Sequence, residues 1–427
     1  MRRTIGKIDD ITRNKSLIRG SLFSLFSFLN KGLGFLLMII LANFITPSEY
    51  GYLNLFNTVI MVLMYFMAMS AEGYWGVAYF SEGKEGLKKT FTCVFFLTLL
   101  GAMLLSMLIC AEGEWLEKKL NLSVPILYCA VAICFFTIYN QILLDNYRLQ
   151  EKVIIYGLLS CGAAVLNFSV SVYLVKYCNL SWQGRVYAQL ACTTVFGVGG
   201  FLYFVGKRYL TTHFLHYLKP LLLWSLPLIP HTASNFFRQG CDRYIIDAFH
   251  SIEDVGLFSF ALTLSTIVTM IGAGFNQSNS VDIYKILGNE TMNNEEKLEM
   301  LGQQRRLYKW IYRVAAMSIV IICFIVVPVI MPKYAGALQY VPILTIFGYF
   351  TCIYFLWTNY LFYYKRTKQI MYITFGSSII HLMFSLILTR YSLFITASLY
   401  ALTQFLVAYL IKRMAIDVLN KELQLLS

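Results

Sequence analysis

The chain has 427 residues, of which 58% are hydrophobic and only 13% charged, with a mean hydropathy of +0.63. This excludes a soluble globular domain and a disordered chain and leaves a polytopic membrane protein. The net charge of +13 raises nucleic acid as a partner, but the cations are spaced along the chain in a way that assigns them to a membrane rim.

The first 16 residues are polar and basic, and the apolar run after them is too long for a signal-peptide core, so no cleavable leader is expected. That run, Leu17 to Ala42, is long enough to cross a bilayer. Lys31 stands roughly 21 Å from one end and roughly 17 Å from the other along a helix, near the midplane. A lysine there costs at least about 2.5–3.5 kcal/mol unless it faces protein or water. Gly20, Ser24, Ser27, Lys31 and Gly34 recur at three- and four-residue steps, which makes one small, polar helix face, read as the wall of an aqueous cavity. Asn30 lies beside it.

Twelve apolar spans follow in order: 17–42, 54–78, 91–110, 124–144, 153–175, 186–206, 220–246, 255–276, 308–331, 338–362, 369–389 and 392–411. The longest connection, 276–307, carries NNEEKLEMLGQQRR and reads as a loop with an amphipathic surface helix. With the N-terminus inside, 26 of the 35 Lys and Arg fall on inside segments and 8 outside, Lys31 being the remainder. That is the positive-inside pattern with both termini cytoplasmic. The ten cysteines are scattered, with no CxxC pair, and read as packing residues, neither a disulfide framework nor a zinc site.

The sequence repeats itself. ANFITPSEYGYLNL after span one matches DAFHSIEDVGLFSF after span seven: Phe44 with Phe249, Thr46 with Ser251, Glu49 with Asp254 and Gly51 with Gly256, at one offset. The same offset pairs Ser27 with Thr232 and Asn30 with Asn235. A second echo joins KVIIYGLLSCGAAVLNFS to KQIMYITFGSSIIHLMFS. Six spans per half give two lobes of the same topology, 1–210 and 211–427, related by a pseudo-twofold axis along the membrane normal with a cleft between them. The expected fold is therefore an all-α polytopic membrane protein of two six-helix lobes.

Span seven holds the densest set of polar groups. His231, Asn235, Arg238 and Asp242 fall at steps of four, three and four, on one helix face. Arg238 and Asp242 are spaced to pair at i, i+4, and Pro227 and Pro230 are expected to kink the helix. Arg243 reads either as part of the cavity or as an interfacial residue snorkelling to the outer surface. Asp145 and Arg148 read as a loop pair, Glu72 as rim or cavity, and His381 as a hydrogen-bonded core residue. Asn276, Gln277 and Asn279 read as substrate contacts or helix caps. Gly272-x-Gly274 follows no strand and is not a nucleotide loop; there is no Walker A motif, no HExxH and no catalytic triad.

ITPSEYG after the first span, SNFFRQGCDRYIIDAF followed by EDVGLFSFA, and FNQSNSVDIYK after span eight resemble the polysaccharide (O-antigen, Wzx-type) flippases of the multidrug/oligosaccharidyl-lipid/polysaccharide exporter superfamily. The resemblance covers essentially the whole chain, with Asp242, Arg243, Val255 and Gly256 matching the motif after the family's seventh span; His231 and the paired prolines depart from its pattern. It implies a non-enzymatic, multi-pass protein of a bacterial cytoplasmic membrane. Such a protein moves an undecaprenyl-pyrophosphate-linked oligosaccharide from the inner to the outer leaflet. Membrane lipids, a polysaccharide polymerase and glycosyltransferases are the expected partners.

An anionic, sugar-bearing lipid needs a polar, net cationic path. Lys31, Arg238 and Arg243 against Asp242 supply the surplus, with Asn30, Asn235 and His231 as further polar contacts. No cofactor is expected; coupling to a proton or sodium gradient would run through Asp242, Glu72 or His231. Multidrug export, which would favour acidic residues in the cleft, is the second reading, and a membrane glycosyltransferase or O-antigen polymerase the third.

Overall fold

The computed structural model describes residues 22, 25–26, 28–226, 228–229, 233 and 236–423. The described residues form helices and turns, with no strand among them. In chain order the helices are α1 (Phe28–Leu41), α2 (Pro47–Met67), α3 (Trp75–Ser81), α4 (Gly83–Leu120), α5 (Val124–Leu149), α6 (Val153–Val172) and α7 (Ser181–Gly206). There follow α8 (Leu215–Ser225), α9 (Cys241–Phe249), α10 (Ile252–Leu287), α11 (Asn294–Ile330), α12 (Val341–Tyr363), α13 (Thr367–Leu388) and α14 (Leu393–Glu422).

Ten of these are long and apolar enough to cross a bilayer, each matching one expected span. The other two expected spans differ. Of span one, α1 is the described part. Span seven is described in part: α8 ends at Ser225, Leu228, Ile229 and Ala233 are helical, and a five-residue π turn, Phe236–Gly240, leads into α9. Pro227 and Pro230, expected to kink this span, lie outside the described residues.

The expected long loop after span eight is largely helix. α10 continues to Leu287 and α11 begins at Asn294, leaving only residues 288–293 as a turn. The reason is local. Asn293 and Glu296 form a capping box, Asn293 Oδ1 accepting from the Glu296 N–H at 2.7 Å. The half-buried segment after it is rich in good helix formers. Lys297 reaches back to donate to the Leu287 carbonyl at 3.3 Å, placing a cation on the C-terminus of α10. The expected surface helix is thus the first part of one 37-residue helix.

The chain divides into two units: Met1–Ile45 with Leu55–Ile229, and Thr46–Asn54 with Pro230–Ser427. In the first, Phe91, Tyr139 and Phe204 are fully buried and packed ring against ring. In the second, α12 runs through the core, and the Cys352 thiol lies 3.4 Å from the Val268 carbonyl of α10. All ten cysteines are free.

The first turns of α2 belong to the second unit, and the internal repeat takes physical form there. Thr46 and Glu49 form a reciprocal cap at the start of α2, the Thr46 N–H donating to Glu49 Oε2 at 2.6 Å and the Glu49 N–H to Thr46 Oγ1 at 3.3 Å. Ser251 and Asp254 do the same at the start of α10, both bonds at 3.1 Å. The repeat-related glycines meet where the two helix starts cross. A methyl group at Gly256 would overlap the Pro47 carbonyl, and one at Gly51 the Ile252 carbonyl. Only glycine permits backbones this close.

Candidate functional site

The fully buried Asp242, on the first turn of α9, anchors the polar centre of the second unit. The expected Arg238–Asp242 pair is not the arrangement found. The π turn at 236–240 adds a residue to the helical turn, so the i, i+4 register across it is lost. Asp242 instead turns to α13, where Oδ2 lies 2.8 Å from His381 Nε2 and Oδ1 accepts from the Ser385 hydroxyl. A carboxylate only accepts, so His381 carries its proton on Nε2. Its Nδ1 lies 3.1 Å from the Thr403 hydroxyl of α14, and its ring stands edge-on to Tyr400 at 5.0 Å.

From Ser385 the network continues through Thr389 to Thr396, at 3.1 and 3.0 Å. His250 Nε2 closes it on the Thr389 carbonyl at 2.7 Å. An imidazole and a hydroxyl of α13 thus hold the buried carboxylate, and the hydroxyls of Thr389, Thr396 and Thr403 extend the network to α14. Arg238 donates from Nη1 to Gln404 Oε1 of α14 at 3.2 Å. Arg243 stands in the electrostatic reach of Tyr400, Tyr50 and Asp242. Two guanidinium groups against one carboxylate leave this polar column net positive.

Lys31 and Asn30 are exposed on α1, in the first unit. His231 and Asn235 lie outside the described residues. Glu72 sits in a 3-10 turn after α2, with Oε2 buried and no hydrogen-bond partner. Asp145 and Arg148 form an exposed pair at 2.7 Å. Asn276 is not a cap but lies inside α10, accepting from Asn359 Nδ2 at 2.8 Å. Among the described residues, no cluster of three or more His, Cys, Asp or Glu forms a metal site.

Sequence reading missed Ser385, Gln404 and Arg185. Arg185 of α7 donates to Asn167 Oδ1 of α6 at 2.8 Å. A signal existed for the first of these: Ser378, His381, Ser385 and Thr389 are buried at three- and four-residue steps in an otherwise apolar helix. Stripes of this kind in a spanning helix face protein, because hydrocarbon offers no partner.

This helical architecture is that of the transporters of the MOP superfamily. The chain superposes on a multidrug resistance MATE family transporter of that superfamily in an inward-facing conformation, with TM-score 0.72 at 12% identity, covering 96% of this chain and 99% of the other. The outward-facing form gives 0.65 at 14%, covering 95% and 96%. A MOP superfamily transporter from Pyrococcus furiosus, described for the reverse polarity of its binding pocket, gives 0.64 at 13%, again covering 95% and 96%.

Residues 18–280 match the polysaccharide biosynthesis protein family, and the chain belongs to that family. It is 24% identical to protein 1 of the Lsg locus of Haemophilus influenzae over 362 residues, 81% of this chain and 84% of the relative. It is also 21% identical to another membrane protein of that organism over 386 residues, 86% and 89%.

Proposed function

We propose that the protein is a flippase, carrying an undecaprenyl-pyrophosphate-linked oligosaccharide from the inner to the outer leaflet of a bacterial cytoplasmic membrane by alternating access. The observation that carries this reading is the surplus of cationic charge in the polar column of the second unit, where Arg238 and Arg243 outnumber Asp242. A pyrophosphate needs charge-assisted donors where water is scarce, and guanidinium groups supply them. Family membership points the same way, towards polysaccharide assembly. Lys31, exposed on α1 of the first unit, is a further cation within an apolar span. Both termini are cytoplasmic in this reading, and the enzymes that build and polymerise the glycan are the natural partners.

Multidrug export is the second reading, favoured by the multidrug transporters that share the fold. A cationic drug would need a carboxylate, and the Asp242 carboxylate is already held by His381 and Ser385. Ion coupling, by proton or sodium, would use Asp242, Glu72 or His231, Asp242 being fully buried and Glu72 having one buried carboxyl oxygen.

The test is complementation of a strain lacking its polysaccharide flippase. Lys31→Ala and Arg238→Ala are expected to lose surface glycan while inserting at normal levels, and Lys31→Arg to retain part of it. Normal export by both alanine variants at matched protein level would remove the cationic groups from the mechanism.

A further inference from the structure

A second cationic site lies in the second unit, away from the polar column. Lys309 and Arg313 of α11, Tyr349, Phe350 and Trp357 of α12, and Phe405, Tyr409 and Lys412 of α14 line a cavity of about 190 Å³. No acidic residue lines it. Among the described residues, none of Lys309, Arg313 and Lys412 is ion-paired with a carboxylate. Arg305, one turn before Lys309, donates to the Tyr360 hydroxyl at 3.0 Å and stacks 5.0 Å over the Trp357 ring, with Lys309 5.8 Å from the same ring. Lys309 thus feels three further positive charges, Lys412, Arg305 and Arg313.

Four like charges gathered at one place cost energy that a bound anion relieves. The aromatic side chains also fix the depth. From Ile330 back to Arg313 along α11 is about 26 Å, from Leu393 to Lys412 along α14 about 29 Å, and from Val341 to Trp357 along α12 about 24 Å. Each distance is close to the roughly 30 Å thickness of the hydrocarbon core. Side chains of the three helices share the cavity, and further out the start of α11 is tied to the end of α14, Asn294 Nδ2 donating to the Leu423 carbonyl at 3.0 Å. The cations therefore stand at the level of the lipid phosphates, in a belt of Trp and Tyr, with Phe405 and Tyr409 about half exposed beside them.

We infer that this cavity is a binding site for an anionic glycerophospholipid of the adjoining leaflet. Its phosphodiester is held by Lys309, Arg313 and Lys412, and its acyl chains lie along the exposed rings of Phe405 and Tyr409. A zwitterionic lipid brings a second cation into the same cluster and is disfavoured. The site is independent of the glycan reading, since its ligand is a bilayer component rather than cargo.

The test is native mass spectrometry of the full chain released from nanodiscs containing phosphatidylglycerol with phosphatidylethanolamine. The wild type is expected to retain phosphatidylglycerol. Each cation near a lipid phosphate contributes about five-fold in affinity. Lys412→Gln, at an exposed position, should therefore lower retention about five-fold, and the triple variant Lys309→Gln/Arg313→Gln/Lys412→Gln on the order of a hundred-fold. The charge-matched control Lys84→Gln/Lys89→Gln/Lys421→Gln should retain it as wild type does. Equal retention by the triple variant and the control, or equal retention of phosphatidylethanolamine, would overturn the inference. Displacement of the lipid by millimolar inorganic phosphate would reassign the cavity to a soluble anion.

Discussion

Asp242 is fully buried against His381 Nε2 at 2.8 Å, with Arg243 also in its electrostatic reach. Breaking such a pair by removing one partner leaves an uncompensated buried group and costs about 3–5 kcal/mol. His381→Ala should therefore lower the thermal unfolding midpoint in detergent markedly, whereas Thr403→Val, which removes only the outer hydrogen bond, should cost about 1 kcal/mol. An unchanged midpoint for His381→Ala would mean that the pair does not hold α9 to α13. Lys31, Arg238, Asp242 and Arg243 were legible in the sequence because a charge in an apolar run stands out. Their partners were not. His381, Ser385 and Gln404 lie well over a hundred residues away, and only the fold brings them to span seven.

At the scale of elements, the repeat is the most informative feature. Thr46 with Glu49 and Ser251 with Asp254 were legible as matched letters, and the structure turns both pairs into the same helix cap. That the matched glycines Gly51 and Gly256 would touch was not legible, because a repeat gives correspondence and not contact. Gly256→Ala places a methyl against the Pro47 carbonyl and is expected to cost about 1–3 kcal/mol, as overpacking does. Gly274→Ala, where nothing stands within 4 Å, should be neutral. Comparing the unfolding midpoints of the two variants decides whether the close approach is real. The helix ends were read less well. Hydropathy falls where α10 and α11 leave the hydrocarbon, but helix propensity and the Asn293 cap carry both onward, so an apolar window ends before its helix does. The π turn at 236–240 left no pattern to read, since its register depends on tertiary packing.

For the whole molecule, the spacing of Lys and Arg sets an orientation that tags can check. Reporters at Thr291 and Lys421 are expected on the cytoplasmic side, and reporters at Asn121 and Lys333 outside. The 288–293 turn carries most weight, because an external signal there would invert the second unit. Purified protein in liposomes, given a polyprenyl-pyrophosphate-linked oligosaccharide in one leaflet, should expose that sugar to a glycosidase on the opposite side, and Arg238→Ala should not. If the sugar never crosses while the same vesicles expel a cationic dye, the protein is a drug exporter, and the cationic column serves another purpose.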